Sequence, residues 1–244
     1  MTGKFSFENR SHLVVYLFLS TPLAVLLGIA VGKFFLPWVQ ATAVFPLYLH
    51  TLARGEWKLT SFLMAGWAIL VAVLVGVLTF YEPAIMEDHI LHAGAYKKEM
   101  FHWISTGIGP EGDIQQFLPQ HLLHLLTFVV LTLISGGFLG LVMGSSLMNY
   151  MSFYVGSLLA EAESSFGVLV LAWPPWAVSR VAGFILIAMV LSLLVLRRFR
   201  PSNSDRKQIK LYSLMGFSLI LLDVVLKWVL AGVWQQLLRS LTDL

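Results

Sequence analysis

Residues 59–80 read LTSFLMAGWAILVAVLVGVLTF, an apolar run without a single charged side chain. At about 1.5 Å per residue, a helix of about 20 apolar residues crosses the hydrocarbon core of a bilayer. A lone strand would leave its backbone hydrogen bonds unsatisfied in lipid, so the run predicts a transmembrane helix. Four further runs meet the same criterion: 13–35, 121–148, 176–196 and 211–237. The chain therefore predicts an all-α, polytopic transmembrane helix bundle, with residues 1–244 as a single integral membrane domain.

The composition of the 244-residue chain agrees with this fold class. Hydrophobic residues make up 58% of the chain and charged residues 12%, and the mean hydropathy is +0.80. A soluble domain carries about 25% charged residues, so this chain has too little polar surface to cover a globule in water. The lipid bilayer is its expected partner. Because the chain has no cysteine, disulfides, thiolate metal sites and cysteine nucleophiles are excluded.

The distribution of charge predicts the topology and argues against nucleic-acid binding. The net charge of +3 comes from basic residues beside the apolar runs, which is the positive-inside pattern of membrane proteins. The loop 197–210 holds six Lys or Arg against one acid, and Arg54 with Lys58 forms a weaker basic group. The loop 81–120 instead holds six acids against two lysines. We expect the basic loop and the N-terminus to be cytoplasmic and the loop 81–120 to be extracytoplasmic and ordered, in a plasma (inner) membrane.

Two segments leave the number of spans open between five and seven. The segment 37–53 is short and contains Pro46, and the segment 150–173 contains two glutamates and ends at a double proline. If both segments cross, there are seven spans, with both basic groups on one side and the acidic loop on the other. If neither crosses, there are five spans: the acidic loop moves to the side of the basic loop, and Arg54 and Lys58 move to the opposite side. We favour about seven membrane segments, because that arrangement satisfies every charge signal.

Five of the seven histidines lie between residues 89 and 124. His89 and His92 are three residues apart, as are His121 and His124, a spacing that places both rings of a pair on one helix face. Imidazoles and carboxylates are ligands for zinc and other first-row metals. The pattern predicts a divalent metal site at the extracytoplasmic face, built from these four residues and His102. Alternatively, the histidines bond to water, headgroups and loop carbonyls at the membrane surface.

Five ionisable residues interrupt the apolar stretches: Glu161, Glu163, Arg180, Asp223 and Lys227. Charged groups inside a span are costly and usually face a bundle interior or a water-filled cavity. Asp223 and Lys227 are four residues apart, so we expect them to pair on one helix face. These residues suggest a proton path, an ion path or a polar substrate cleft. Alternatively, they form ion pairs that only fix helix packing, or the two glutamates are exposed to water at the membrane interface.

Glycine spacing predicts where helix backbones approach one another. Gly136, Gly140 and Gly144 recur every four residues, and Gly28 and Gly32 repeat the interval in the first span. Such small-residue ridges allow close contact between transmembrane helices. We interpret both sets as packing positions and expect the helix that carries the first set to be central.

The absence of a Walker A loop means that the chain is not itself an ATPase. We favour a non-ATPase transporter, or the membrane subunit of a larger complex with protein partners. One alternative is a membrane-embedded, metal-dependent enzyme acting on a lipid or lipid-linked substrate, with Glu99 or Glu87 as general base. Another is a pH or metal sensor, since imidazoles titrate near neutrality.

The predicted topology can be tested with reporter fusions. Alkaline phosphatase, which is active only outside the cytoplasm, should be active when fused after residue 100 and inactive when fused after residue 204. The physical reason is the excess of basic residues in the loop 197–210, which holds that loop in the cytoplasm. The opposite pattern of activities would reverse the assigned sidedness.

Overall fold

The computed structural model of the protein describes residues 9–162, 165–198 and 202–242. These residues form ten helices and no regular strand. The helices are α1 Arg10–Val31, α2 Leu36–Ala53, α3 Trp57–Tyr81, α4 Pro83–His89, α5 Ala93–Thr106, α6 Ile114–Ser135, α7 Phe138–Ala160, α8 Ser165–Leu171, α9 Pro175–Leu196 and α10 Asn203–Arg239. Six of them, α1, α3, α6, α7, α9 and the Asp205–Arg239 part of α10, are long and apolar enough to cross a membrane. The predicted all-α transmembrane bundle is confirmed.

The predicted single span 121–148 is wrong, because the chain turns in its middle. Gly136 and Gly137 have φ of +61° and +106°, a left-handed backbone that favours glycine, and they separate α6 from α7. The helix before the turn begins earlier than expected, at Ile114, where the Asp113 carboxylate caps it by accepting from the Gln115 N–H at 2.8 Å. The segment 150–173 is not a separate span either. Its residues up to Ala160 complete α7, and the short helix α8, Ser165–Leu171, follows.

The second helix returns along the first. α2 is continuous through Pro46 and packs antiparallel to α1: the Tyr16 hydroxyl donates to the Ala43 carbonyl at 2.6 Å, and Gly28 lies against Leu36. It is less apolar than the six spans, and its 18 residues extend about 27 Å at about 1.5 Å per residue, close to the thickness of a hydrocarbon core of about 30 Å. Counting α2 with the six gives seven candidate crossings among the described helices.

The two basic groups lie at one end of this bundle, which we call the basic end. The Arg197 guanidinium donates to the Ala53 carbonyl at 3.3 Å, so the ends of α9 and α2 meet. The Trp57 and Tyr212 rings, near the starts of α3 and α10, are 4.8 Å apart at their centroids. This pairing of ends agrees with the seven-crossing arrangement. It would not arise if the chain crossed five times.

The centre of the bundle is α7, which packs against α2, α3, α5 and α6. A buried polar network joins α7 to α2. The Gln40 amide donates to Asn149 at 3.0 Å, and its carbonyl oxygen accepts from Ser145 at 2.6 Å and from Asn149 at 2.8 Å. Each bond compensates for a polar group held away from water, so the network fixes the register of the two helices.

The end opposite the basic end carries a helical cap made of α5, α8 and the C-terminal turns of α10. Its core contains large buried side chains from the cap and from the ends of α7 and α9: Trp103, Ile104, Tyr154, Trp176 and Leu238. Gln235 of α10 also donates to the Ile104 carbonyl of α5. The acidic loop 81–120 is thus ordered: it contains α4 and α5, and its last residues begin α6.

Two of the predicted packing glycines do mark close helix contacts. A Cβ on Gly28 would lie 2.6 Å from Leu36 Cδ1, and one on Gly140 would overlap the Thr132 hydroxyl. Close approach therefore depends on the missing side chain between α1 and α2 and between α6 and α7.

The remaining three predicted glycines, Gly32, Gly136 and Gly144, do not mark close helix contacts. Gly32 and Gly136 have φ of +117° and +61° and end α1 and α6. A Cβ on Gly144 would have no neighbour within 4 Å, and this glycine lines a cavity. The expected ridge of Gly136, Gly140 and Gly144 on one helix is therefore wrong, because the first of them lies in the turn before α7.

The contact between α3 and α7 provides a test of this packing. A Cβ on Gly156 would overlap the Gly76 carbonyl and lie 2.6 Å from Thr79 Cβ. The carbonyl belongs to the α3 backbone, which cannot move aside as the end of a flexible side chain can. We expect Gly156→Ala to lower the free energy of unfolding by about 1–3 kcal/mol. Thermal unfolding in detergent measures the change. The matched control, Gly144→Ala, meets open space and should be neutral or slightly stabilising; equal effects of the two substitutions would contradict this account of the α3–α7 contact.

Candidate functional site

A buried ion pair joins α9 to α10. Arg180 donates from Nε and Nη2 to the two Asp223 carboxylate oxygens at 2.9 and 3.0 Å. This two-bond geometry is the strongest that a guanidinium and a carboxylate form. The Asp223 side chain is fully buried, whereas the Arg180 side chain is 27% exposed. The pair therefore has a buried side, occupied by the carboxylate, and an open side, occupied by the guanidinium.

A second ion pair lies one turn further along α10. Lys227 Nζ donates to Glu111 Oε1 at 2.7 Å and lies 3.8 Å from the centroid of the Phe117 ring. The ring face adds a cation–π attraction for the ammonium group. The predicted Asp223–Lys227 pair is thus replaced by two pairs with different partners. Glu111 was missed as a site residue, since in the sequence it is only one of six acids in a loop.

A histidine completes the cluster from α6. His121 Nε2 lies 3.3 Å from Asp223 Oδ2 but off the line of a hydrogen bond, and its ring packs against Phe117 with centroids 5.2 Å apart. The side chain is almost fully buried. Asp223 is therefore surrounded by two cationic or potentially cationic groups, from α6 and α9, which belong to different parts of the chain.

Arg180, Lys227 and His121, together with Glu111, border a cavity of about 130 Å³ between α3, α5, α6, α7 and α9, close to the cap. Such a volume holds several water molecules. One part of its wall is polar and includes Tyr96, Glu99, Glu111, Gln120, His121, His124, Tyr150, Arg180 and Lys227. The other part is apolar and includes Trp67, Phe128, Leu147 and Phe184. The cavity is therefore amphipathic.

Two titratable groups of α5 face this cavity from outside the spans. Burial, and then the negative charge of Glu111, raises the pKa of Glu99 above its ordinary value, and Lys227 partly opposes the shift. Burial and Glu111 likewise raise the pKa of Tyr96 well above its ordinary value. The phenol therefore keeps its proton and remains a hydrogen-bond donor.

The histidines that were expected to bind a metal do not come together. Within the described ranges 9–162, 165–198 and 202–242, no group of three or more His, Asp or Glu side chains is arranged to hold a metal ion. His89 ends α4, and His92 has a left-handed φ of 63° before α5, so the two rings share no helix face. His102 is exposed on α5, and only His121 and His124 border the cavity.

The remaining predicted residues divide between the cavity and the surface. Glu99 borders the cavity, whereas Glu87 is an exposed residue that lies against Gly94. Glu161 does not lie within a span. It ends α7, its side chain is 42% exposed, and it pairs with Lys97 of α5 at 3.0 Å. Glu163 lies outside the described residues.

An apolar groove of about 550 Å³ lies beside the cavity, between α3, α7, α8 and α9. Small side chains line much of it, among them Ala65, Ala72, Gly76 and Ala182. The groove and the cavity share five wall residues: Ala68, Met148, Ala177, Val181 and Ile185. The polar cavity is therefore adjacent to an apolar space on the outside of the helix bundle.

No protein-family profile, curated protein or solved structure matches this chain. Its function is therefore inferred from the geometry of the site.

The coupling between Arg180 and Asp223 can be measured with a double-mutant cycle. Either Arg180→Gln or Asp223→Asn leaves a charged partner without its counter-charge inside the bundle, and each should lower the free energy of unfolding by about 3 kcal/mol. The double variant removes both charges and should lose clearly less than the sum of the two single losses. Unfolding in detergent micelles provides the measurement. Additive losses would show that the two side chains are not energetically coupled.

Proposed function

We propose that the protein is a multi-pass membrane carrier without an ATPase of its own, and that the amphipathic cavity is its substrate site. The observation that carries the proposal is the Arg180–Asp223 pair, which lies within the spans and presents the guanidinium to the cavity. Ionisable groups inside spans are costly, and they usually mark a substrate or ion pathway.

The arrangement of the cluster supports ligand binding over packing alone. A pair that only fixed two helices could be buried on both sides, as the Gln40–Asn149 network is. Here the arginine is partly exposed and the carboxylate is not. The neighbouring Glu99, Gln120 and His124 also border the cavity, where they would meet a polar ligand.

The packing toward the basic end supports a cavity that is closed on that side. The Tyr48 hydroxyl donates to Ser192 at 2.8 Å, and Gly137 of the α6–α7 turn lies against both residues. Large buried side chains, such as Leu47 and Leu193, fill the space around them. In the proposed function the basic end faces the cytoplasm across a plasma (inner) membrane, as the excess of Lys and Arg predicts, and the cavity serves the opposite face.

A co-purification experiment tests the proposal and identifies the substrate in the same step. Protein purified from membranes in mild detergent is extracted, and the retained small molecules are identified by mass spectrometry. We expect one charged or zwitterionic compound to be retained by the wild type and to be at least tenfold depleted on Arg180→Gln, since the variant loses the cation of the site. The identified compound should then exchange across liposomes that contain the wild-type protein.

Arg197→Gln is the matched control, because Arg197 is a basic-end residue remote from the cavity, and it should retain the compound fully. Identical retained compounds on the wild type and on a folded Arg180→Gln variant would overturn the assignment of the cavity as the substrate site. Binding without exchange across liposomes would overturn the carrier function but leave the site.

A further inference from the structure

We propose that the substrate of this carrier is a zwitterionic phospholipid, with its headgroup in the cavity and an acyl chain in the neighbouring groove. This inference rests on the proposed function and adds to it the chemical class of the ligand and its route. The lipid would move sideways from the bilayer, past the wall that the cavity and the groove share, between α3 and α9.

The groove is suited to a hydrocarbon chain. Its lining is apolar along its whole length, and its aromatic residue, Trp173, lies at the cap end, just before the double proline at the start of α9. Tryptophan favours the headgroup level of a bilayer, so this end of the groove lies where lipid headgroups meet the chains. In a membrane the molecules beside this groove are lipids, and the small residues leave room for a chain between α3 and α9.

Arg180 retains the donors that a phosphate group needs. The guanidinium has five N–H groups, and Asp223 engages only Nε and Nη2. The Nη1 group makes no hydrogen bond within the described part of the chain, and the side chain borders the cavity. Planar guanidinium groups bind phosphate oxygens with high geometric specificity. The pair thus holds Arg180 in place by one edge and leaves another edge for a ligand.

Glu99 provides a matching site for an ammonium group. Its carboxyl group borders the same cavity and makes no hydrogen bond or ion pair within the described ranges. The Tyr96 and Tyr150 rings, 4.6 Å apart at their centroids, lie in the same wall. A carboxylate beside aromatic faces is the arrangement that recognises alkylammonium groups.

The balance of charge distinguishes between classes of lipid. Arg180 and Lys227 are each paired with a carboxylate of the site, Asp223 and Glu111, whereas Glu99 has no ion-pair partner within the described ranges. Burial raises the pKa of Glu99, so a cation beside it would favour its ionised form, and an anionic headgroup would bring no such cation. A headgroup with both phosphate and ammonium pairs with Arg180 and with Glu99.

Native mass spectrometry of the purified protein with defined lipids tests the inference. The probes are palmitoyl-oleoyl phosphatidylethanolamine, phosphatidylglycerol with the same chains, and glycerophosphoethanolamine, which has the headgroup without chains. We expect phosphatidylethanolamine to bind at least tenfold more tightly than either of the others. Glu99→Gln should reduce the preference over phosphatidylglycerol about tenfold, and the control Glu82→Gln, an exposed residue at the end of α3, should leave it unchanged.

A bulky residue in the groove tests the route of the chain. Ala182→Trp and, independently, Ala65→Trp should each weaken phosphatidylethanolamine binding about tenfold, because the indole occupies the groove. Ala30→Trp, on the outward face of α1, is the matched control. Unchanged binding in both groove variants, with melting temperatures like that of the control, would overturn the placement of the chain.

The outcomes separate this inference from the proposed function. Equal binding of glycerophosphoethanolamine and phosphatidylethanolamine would show that the cavity takes a soluble zwitterion, which removes the lipid route and leaves the carrier. Tighter binding of phosphatidylglycerol would overturn the assignment of the headgroup. If none of the probes binds while the wild type retains a different compound that Arg180→Gln loses, the lipid is excluded and the carrier stands.

Discussion

The ion pair between Arg180 and Asp223 determines how the second half of the bundle is arranged. It joins α9 to α10 at one height, with two hydrogen bonds of 2.9 and 3.0 Å. Water cannot replace a lost partner easily inside the spans, so each charge depends on the other. His121 of α6 also lies 3.3 Å from Asp223. Three helices therefore meet at one carboxylate that is itself completely buried.

The surroundings of this pair explain why the bundle has a cavity at the cap end. Charged and phenolic side chains require space for water or a ligand where they are not paired, and the cap provides several of them. Tyr96 and Glu99 come from α5, which packs on the central helix α7, while Lys227 is held by Glu111 from the segment before α6. The basic end has no comparable set of charges in its described core, and its buried polar groups, such as Tyr48 and Ser192, bond to each other. The two ends therefore differ in chemistry as well as in surface charge.

Several features of the fold were predictable from local sequence. The run 59–80 is a helix, α3 Trp57–Tyr81, within two residues of the predicted bounds. The continuity of α2 through Pro46 was not predictable, since a proline removes one backbone donor and the packing of α2 against several helices compensates for the loss. The turn at Gly136 and Gly137 was also missed. The run 121–148 contains no Lys, Arg, Asp or Glu, and its hydropathy does not show that two glycines adopt left-handed φ values there.

The sequence by itself determined that this chain is a helical membrane protein, because hydropathy acts on each segment independently of its neighbours. It favoured placing both basic groups at one end but left the five-crossing alternative open. It also identified Arg180, Asp223 and Lys227 as unusual, since each interrupts an apolar stretch. Only the tertiary structure decided their partners. Arg180 pairs with Asp223 across 43 residues of sequence, and Lys227 pairs with Glu111 across 116. The packing and rotation of the helices determine which side chains face each other, and the spacing of residues along one helix does not predict this.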